Sequence, residues 1–142
     1  MASLFNVFDV AGSALNAQSI RLNVTASNLA NADSVSDSAR TAYRARQPVF
    51  AQTMREWGAD PMTDENAVGV RVLGVVQSGA EPLKRYQPDH PLADANGYVY
   101  GSNVNSVEEL TNMISASRSF QSNVEMINNV RDLLLKTISM GR

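Results

Sequence analysis

The sequence contains no cysteine and a single histidine among its 142 residues. That excludes a disulfide frame, a thiol nucleophile, a thiolate metal site and an iron–sulfur centre. It leaves the redox compartment open, because a cysteine-free chain tolerates either. Charge is scarce as well. Only 18% of residues are Asp, Glu, Lys or Arg and the net charge is −2, so the basic footprint needed for nucleic acid or an anionic membrane is missing. No stretch approaches the roughly 18 consecutive apolar residues of a transmembrane helix. The first basic residue is Arg21, and Asn6, Asp9, Ser13, Asn16 and Gln18 interrupt the early apolar residues. The expectation is therefore no conventional cleaved leader. The length allows one modest domain and excludes a multidomain machine.

Neutral polarity takes the place of charge, with 13 Asn and 15 Ser, and it is unevenly placed. Residues 1–32 carry only Asp9 and Arg21 as charged groups. Residues 33–100 hold nine acids, seven bases, all five prolines and five of the eight glycines, so helix breakers concentrate in the middle.

Leu4, Phe8, Ala11, Leu15, Leu22 and Leu29 follow 4-3-4 spacing, with Gln18 and Thr25 at the remaining seam positions. A period of 3.5 predicts one apolar face of a long helix, from an N-cap at Ser3 to Asn31, about 43 Å in length. The run Asn28–Ser34 ends it, because Asn, Asp and Ser compete for backbone hydrogen bonds. A second helix is predicted from Leu110, Met113, Phe120, Val124, Ile127, Leu134 and Ile138, with Ser117 and Arg131 as polar seam positions. Ser106 and Glu109 form the expected capping box, and Gly141 the stop. At about 52 Å, this helix is too long to be covered by residues 33–100 alone. The two ends pair with each other, with other copies, or both.

The opposite face of the first helix carries Asn6, Ser13, Asn16, Ser19, Asn23 and Ser27, where an exposed helix normally shows Lys and Glu pairs. Burying charge costs several kcal/mol per ion, whereas Asn and Ser can exchange hydrogen bonds. Such a face predicts packing against neighbouring subunits.

The middle reads as a small antiparallel sheet. Its strands are expected at Val68, Val70, Val72, Val75 and Val76, at Leu83 to Tyr86, and at Tyr98-Val99-Tyr100 after an Asn96-Gly97 turn. Tyr43 to Gln52 reads equally as strand or extended connector, because Pro48 lies inside it. Residues 33–42 and 58–66 read as flexible loops.

No constellation here assembles an active site, so the expectation is a non-enzyme without cofactor or metal. His90, in Pro88-Asp89-His90-Pro91, has no nucleophile or metal partner in the pattern and reads as a loop residue. Asp60, Asp64 and Glu65 match no calcium loop and are interrupted by Pro61. Gly69, Gly74 and Gly79 recur every five residues without a phosphate-binding pattern and read as bends. Arg44 and Arg46 share a face if extended; without a basic surplus they suit an acidic protein partner or ordinary solubility.

Several ordered segments resemble the axial proteins of the bacterial flagellum, and within them the proximal-rod group. The first is Ser13-Ala14-Leu15-Asn16-Ala17-Gln18-Ser19, followed by Arg21-Leu22-Asn23-Val24 and Ser27-Asn28-Leu29-Ala30-Asn31-Ala32. Next come Asp33-Ser34, Tyr43-Arg44-Ala45-Arg46-Gln47, Val49-Phe50, Pro88-Asp89-His90-Pro91, Ala93-Asp94, Gly97-Tyr98-Val99 and Asn103-Val104-Asn105. The last runs from Met113 to Gln121.

The resemblance implies an α+β fold. Long N- and C-terminal helices (residues 1–33 and 102–142) pair as an antiparallel coiled coil, and residues 34–101 form a small β-rich central domain. It implies a structural subunit that polymerises through its terminal helices to transmit torque, with a distal-rod or hook protein, or a coiled-coil adaptor, as the alternative readings. Its partners would be other rod proteins, further copies of itself and the flagellar type III export apparatus, with no nucleic acid and no membrane insertion. It would lie in the basal body, spanning the periplasm, exported without a cleaved signal peptide. The expected assembly interface is Leu4, Phe8, Leu15, Asn16, Leu22, Asn23, Asn28, Leu29 and Asn31 at one end. At the other end it is Leu110, Met113, Phe120, Val124, Ile127, Leu134 and Ile138.

Overall fold

A computed structural model describes residues 2–53 and 69–140, with side chains from residue 6 onward. The expectations for Val68, for the loop 58–66 with its acids, and for Gly141 lie outside the described residues. The fold is α+β. In chain order it comprises α1 (Ala2–Ala30), β1 (Val35–Ser36), β2 (Arg46–Thr53), β3 (Gly69–Gln77), β4 (Leu83–Tyr86), β5 (Tyr98–Gly101) and α2 (Ser106–Met140).

Helix α1 starts at Ala2, so Ser3 lies inside it and is not its cap. It ends where the Asn–Ser run predicts. Asn31 N–H donates to Ser27 O at 3.2 Å, Asn31 Nδ2 donates to the same carbonyl at 2.8 Å, and Ser34 Oγ donates to Asn31 O at 2.7 Å. These bonds satisfy carbonyls that a helix end leaves without partners. The start of α2 corrects the capping box. Asn105 Oδ1 accepts from Val107 N at 3.1 Å and Glu108 N at 3.4 Å, so the cap is Asn105 and Ser106 is the first helical residue. Asn caps at least as well as Ser and sits one residue earlier. Glu108 and Glu109 then lie in the first turn, where the helix dipole favours acids.

The strands form two sheets where one was expected. In the first, β5 is central: Ser36 and Lys84 both flank Tyr100 in antiparallel register, and Tyr86 faces Tyr98. With both edges of β5 taken, β3 pairs separately with β2. Within residues 33–42, expected as a loop, the chain forms β1 and a hydrogen-bonded turn. The β1 strand is too short to announce itself in a sequence, and hydrogen bonds fix the turn after it. Thr41 Oγ1 donates to Asp37 Oδ1 at 2.8 Å, and Thr41 and Ala42 N–H both donate to Ser38 O.

The chain divides into two compact units. One comprises Arg21–Pro48 and Val75–Ile114; it buries Val99 (0% exposed), Ala42 and Val104 beside the polar Thr25, Asn28, Ser102 and Glu109. The other comprises Met1–Ile20, Val49–Gly74 and Ser115–Arg142, and its buried apolar residues are Ala11, Ala17, Ala116 and Val130. In that unit Ser13 Oγ donates to Val10 O at 2.7 Å and accepts from Val70 N at 3.1 Å. A Cβ on Gly69 would come within 2.9 Å of Thr53 Oγ1 and 3.3 Å of Ser13 Oγ, so glycine permits this close approach.

Candidate functional site

Helical period places the candidate residues on α1 and α2, and their burial sorts them. On α1, Phe8, Leu15, Leu22 and Leu29 are half-buried, Ala11 and Thr25 are buried, and Asn16 and Asn23 are exposed. The side chain of Leu4 lies outside the described residues. Gln18, at the expected polar seam position, has a buried Oε1 with no hydrogen-bond partner among the described residues.

With Asn112, Ser117 and Ser119 half-buried beside it, the covered line of α2 runs through Glu109, Met113, Ala116, Phe120, Asn123, Ile127, Val130 and Leu134. These alternate by 4 and 3 throughout. Met113, Phe120, Ile127 and Leu134 are seam positions read from the sequence. The other four lie one residue before the expected Leu110, Ser117, Val124 and Arg131. Small or polar side chains occupy Glu109, Ala116 and Asn123, so hydropathy alone could not find them.

The displaced apolar residues form a second stripe. Val107, Leu110, Ile114, Val124, Leu135 and Ile138 are all exposed, from 36% at Val124 to 75% at Val107. They too fall on a 3-4 repeat, roughly 100° around the helix from the covered seam when the turn is taken as 3.5 residues. Met126, Leu133 and Met140, spaced by seven, are exposed on a further line. The C-terminal half of α2 thus exposes apolar side chains along more than one line.

Among the described residues, side chains of α1 and α2 come together as follows. Arg21 Nη2 donates to Asn112 Oδ1 at 3.3 Å. Separately, Asn6, Val7, Val10, Ala11 and Ala14 of α1 line a cavity of about 380 Å³ with Asn123 and Met126 of α2.

Asn28, expected at an intersubunit surface, is only 1% exposed and works within the chain. Its Nδ2 donates to Arg46 O at 2.8 Å, while its Oδ1 accepts from Arg46 N at 2.9 Å and from Tyr43 Oη at 3.0 Å. One side-chain amide therefore pairs with both backbone groups of Arg46, as a neighbouring strand would. Asn103 acts similarly. It accepts from Ala45 N at 2.7 Å through Oδ1 and donates to Ala80 O at 2.9 Å through Nδ2. Part of the neutral polarity seen in the sequence thus fastens the chain around Ala45, Arg46 and Ala80.

The turn before β5 is built around Asp94. Its Oδ1 accepts from Asn96 N at 2.8 Å and Tyr98 N at 2.9 Å, and its Oδ2 lies 3.4 Å from the Tyr100 hydroxyl. The Tyr98 amide chiefly holds the carboxyl below its ordinary range. The Asn96 amide, the Lys84 ammonium and the Tyr100 hydroxyl add to this, against a smaller opposing effect of desolvation. Gly97 completes the turn at φ +77°, a left-handed conformation suited to glycine. Lys84 Nζ sits 4.1 Å from the Tyr98 ring centroid, a cation–π contact.

Comparison with known proteins reads the same ends. The family described as "Flagella basal body rod protein" matches residues 8–36, and "Flagellar basal body rod FlgEFG protein C-terminal" matches residues 95–140. Proteins named "Flagellar basal-body rod protein FlgC" are similar along the chain. The one from Yersinia enterocolitica is 50% identical over 143 residues, and that from Salmonella typhimurium 49% over 140, each alignment covering 99% of both chains. The chain belongs to the FlgC family of flagellar basal-body rod proteins. A more distant FlgC protein, from Buchnera aphidicola of Schizaphis graminum, is 42% identical over 142 residues, covering 98% of both chains.

Within this FlgC-family chain, the matched regions contain most of α1, β5 and all of α2, including the covered seam, the exposed stripe and Asn28. His90 has a local structural role, its Nδ1 accepting from Leu92 N at 3.1 Å. Among the described residues, no group of three or more His, Asp or Glu is placed to hold a metal ion. No described helix is long and apolar enough to cross a membrane.

Proposed function

We propose that this rod subunit belongs to the proximal rod and polymerises through α1 and α2, so that torque passes along packed helices. The observation carrying this reading is the exposed apolar stripe Val107, Leu110, Ile114, Val124, Leu135 and Ile138. Six large side chains at heptad-like spacing match the surface that another helix covers in a coiled coil. Residues 1–33 and 102–142 are then assembly regions, and residues 34–101 an outer domain.

Within the subunit, α1 and α2 pair as an antiparallel coiled coil. Supporting this are the Arg21–Asn112 bond and the cavity shared by residues 6–14 with residues 123 and 126, in which the two helices are met in opposite sequence order. Phe8, Leu15, Leu22 and Leu29 face Met113, Phe120, Ile127 and Leu134 in that pairing, and Leu4 extends the same seam. Leu110, Val124 and Ile138 face neighbouring subunits, with Asn16, Asn23 and Asn31 supplying neutral polar contacts. Asn28 serves this surface indirectly, by fixing the connector behind it.

The subunit is non-enzymatic and spans the periplasm within the rod. The flagellar type III apparatus exports it without a cleaved signal peptide. Its partners are other rod proteins and further copies of itself. A hook or distal-rod identity is disfavoured because alignment with the FlgC relatives covers nearly all of both chains.

The decisive experiment is the double substitution Leu135→Asp and Ile138→Asp, with export measured separately. Both side chains are exposed in the chain, so the variant should be exported normally yet be absent from purified basal bodies, leaving cells non-motile. Rods of normal yield containing the variant would overturn the helix-face reading.

A further inference from the structure

Outside both family-matched regions lies a second, chemically different surface. Arg40, Thr41, Tyr43, Arg44 and Arg46 wall a cavity of about 450 Å³ together with Gln77. Its three guanidiniums have no hydrogen-bond or ion-pair partner among the described residues. Arg46 lies 5.5 Å from the centroid of the Tyr43 ring, and Arg44 is half-buried. Asp37, the acid of the preceding turn, accepts from the Thr41 hydroxyl. Three permanent cations thus line one cavity with no carboxylate matched to them.

The loop carrying them is held firmly. Asn28 fixes both backbone groups of Arg46, and the Asn103 carboxamide fixes the N–H of Ala45. With the backbone at Ala45 and Arg46 fixed, only the side chains remain to be ordered by an oxyanion, Arg40 and Arg46 being exposed and Arg44 half-buried, and the planar guanidinium fork matches two oxygens at once. The backbone discriminates between oxyanions. Phosphate cradles characteristically draw on several free N–H groups, whereas here the N–H groups of Thr41, Ala42, Ala45 and Arg46 are all committed within the chain. What remains is side-chain forks, which suit a carboxylate.

We propose that this arginine cavity receives one or more Asp or Glu side chains of a neighbouring subunit, forming a polar contact separate from the helix faces. The inference rests on the rod-subunit reading and adds a partner chemistry to it.

The test uses the full chain expressed in a strain deleted for it. Arg44→Glu with Arg46→Glu should lower the yield of completed rods by roughly ten-fold or more, since reversing a desolvated charge contact is strongly unfavourable. Export of the variant should continue. Arg44→Lys with Arg46→Lys should retain most of the yield, and the paired Gln substitutions should fall between. Motile suppressors of the Glu variant should replace an Asp or Glu of a rod subunit by Lys or Arg. Unchanged rod yield with Glu, equal behaviour of the Gln and Lys variants, or suppression only by changes remote from any acidic residue would each overturn the proposal. Rescue of the Gln variant by added inorganic phosphate would assign the cavity to a free anion and overturn it likewise. If the deletion itself leaves rods intact, the rod reading fails; if the deletion blocks rods while charge reversal does not, only the cavity proposal fails.

Discussion

The unit formed by Arg21–Pro48 and Val75–Ile114 and the unit containing the outer lengths of the two helices are both compact, but the described residues they bury differ in kind. The first buries Val99 completely and ties its connectors with the amides of Asn28 and Asn103 and the carboxylate of Asp94. Among its described residues the second buries three alanines and one valine and leaves Val124, Met126, Leu133, Leu135, Ile138 and Met140 exposed, as the first leaves Val107, Leu110 and Ile114 of the same helix. Apolar burial contributes roughly 25 cal/mol per Å² removed from water, so small buried side chains provide little stabilisation. The contrast teaches that one unit pins its connectors with side-chain hydrogen bonds around Val99, whereas the other covers side chains such as Phe8 and Phe120 only in part.

Substitutions can break this contrast from either side. The largest effect is expected on the helix face, where the Leu135 and Ile138 double variant abolishes assembly and scarcely alters the isolated chain. In the unit that contains it, Asn28→Ala should destabilise by about 3 kcal/mol, because it strands both backbone groups of Arg46 away from a partner. Thermal unfolding followed by the tyrosine signal would register the loss, and an unchanged midpoint would mean that the clamp is dispensable. Gly97→Ala should cost roughly 2 kcal/mol, combining a left-handed backbone with a Cβ only 3.0 Å from Tyr86 Cε2 and 3.2 Å from Pro88 Cβ. Urea unfolding of the purified variant measures it, and wild-type stability would show that the turn can relax.

The smallest effect concerns acid. The folded turn lowers the affinity of Asp94 for its proton, so the ionised carboxylate is the form that stabilises the turn. Its contribution is present above the unfolded aspartate range of about pH 4 and disappears as pH falls through the lowered folded value. Amide exchange at Tyr98, followed during acidification and corrected for the intrinsic rate, should rise below that range in the wild type. Asp94→Asn, which retains an acceptor but does not titrate, should show a flat corrected profile there. Parallel profiles would remove Asp94 as the source.

The sequence alone determined the periodic and the punctuated features. The 3.5-residue repeat announced two long helices, the Asn–Ser run marked the end of α1, β-branched and aromatic runs located β3, β4 and β5, and Asn96-Gly97 located a turn. Each is a local preference acting over a few residues. The tertiary structure decided what depends on partners distant in sequence. It set α2's covered seam one residue from part of the apolar repeat, because alanine, asparagine and even Glu109 fit where contact is close. It paired the brief β1 with β5, divided the strands between two sheets, and gave Asn28 a backbone to clamp 18 residues away. A hydropathy pattern reports which side chains avoid water; only packing decides which of them are covered.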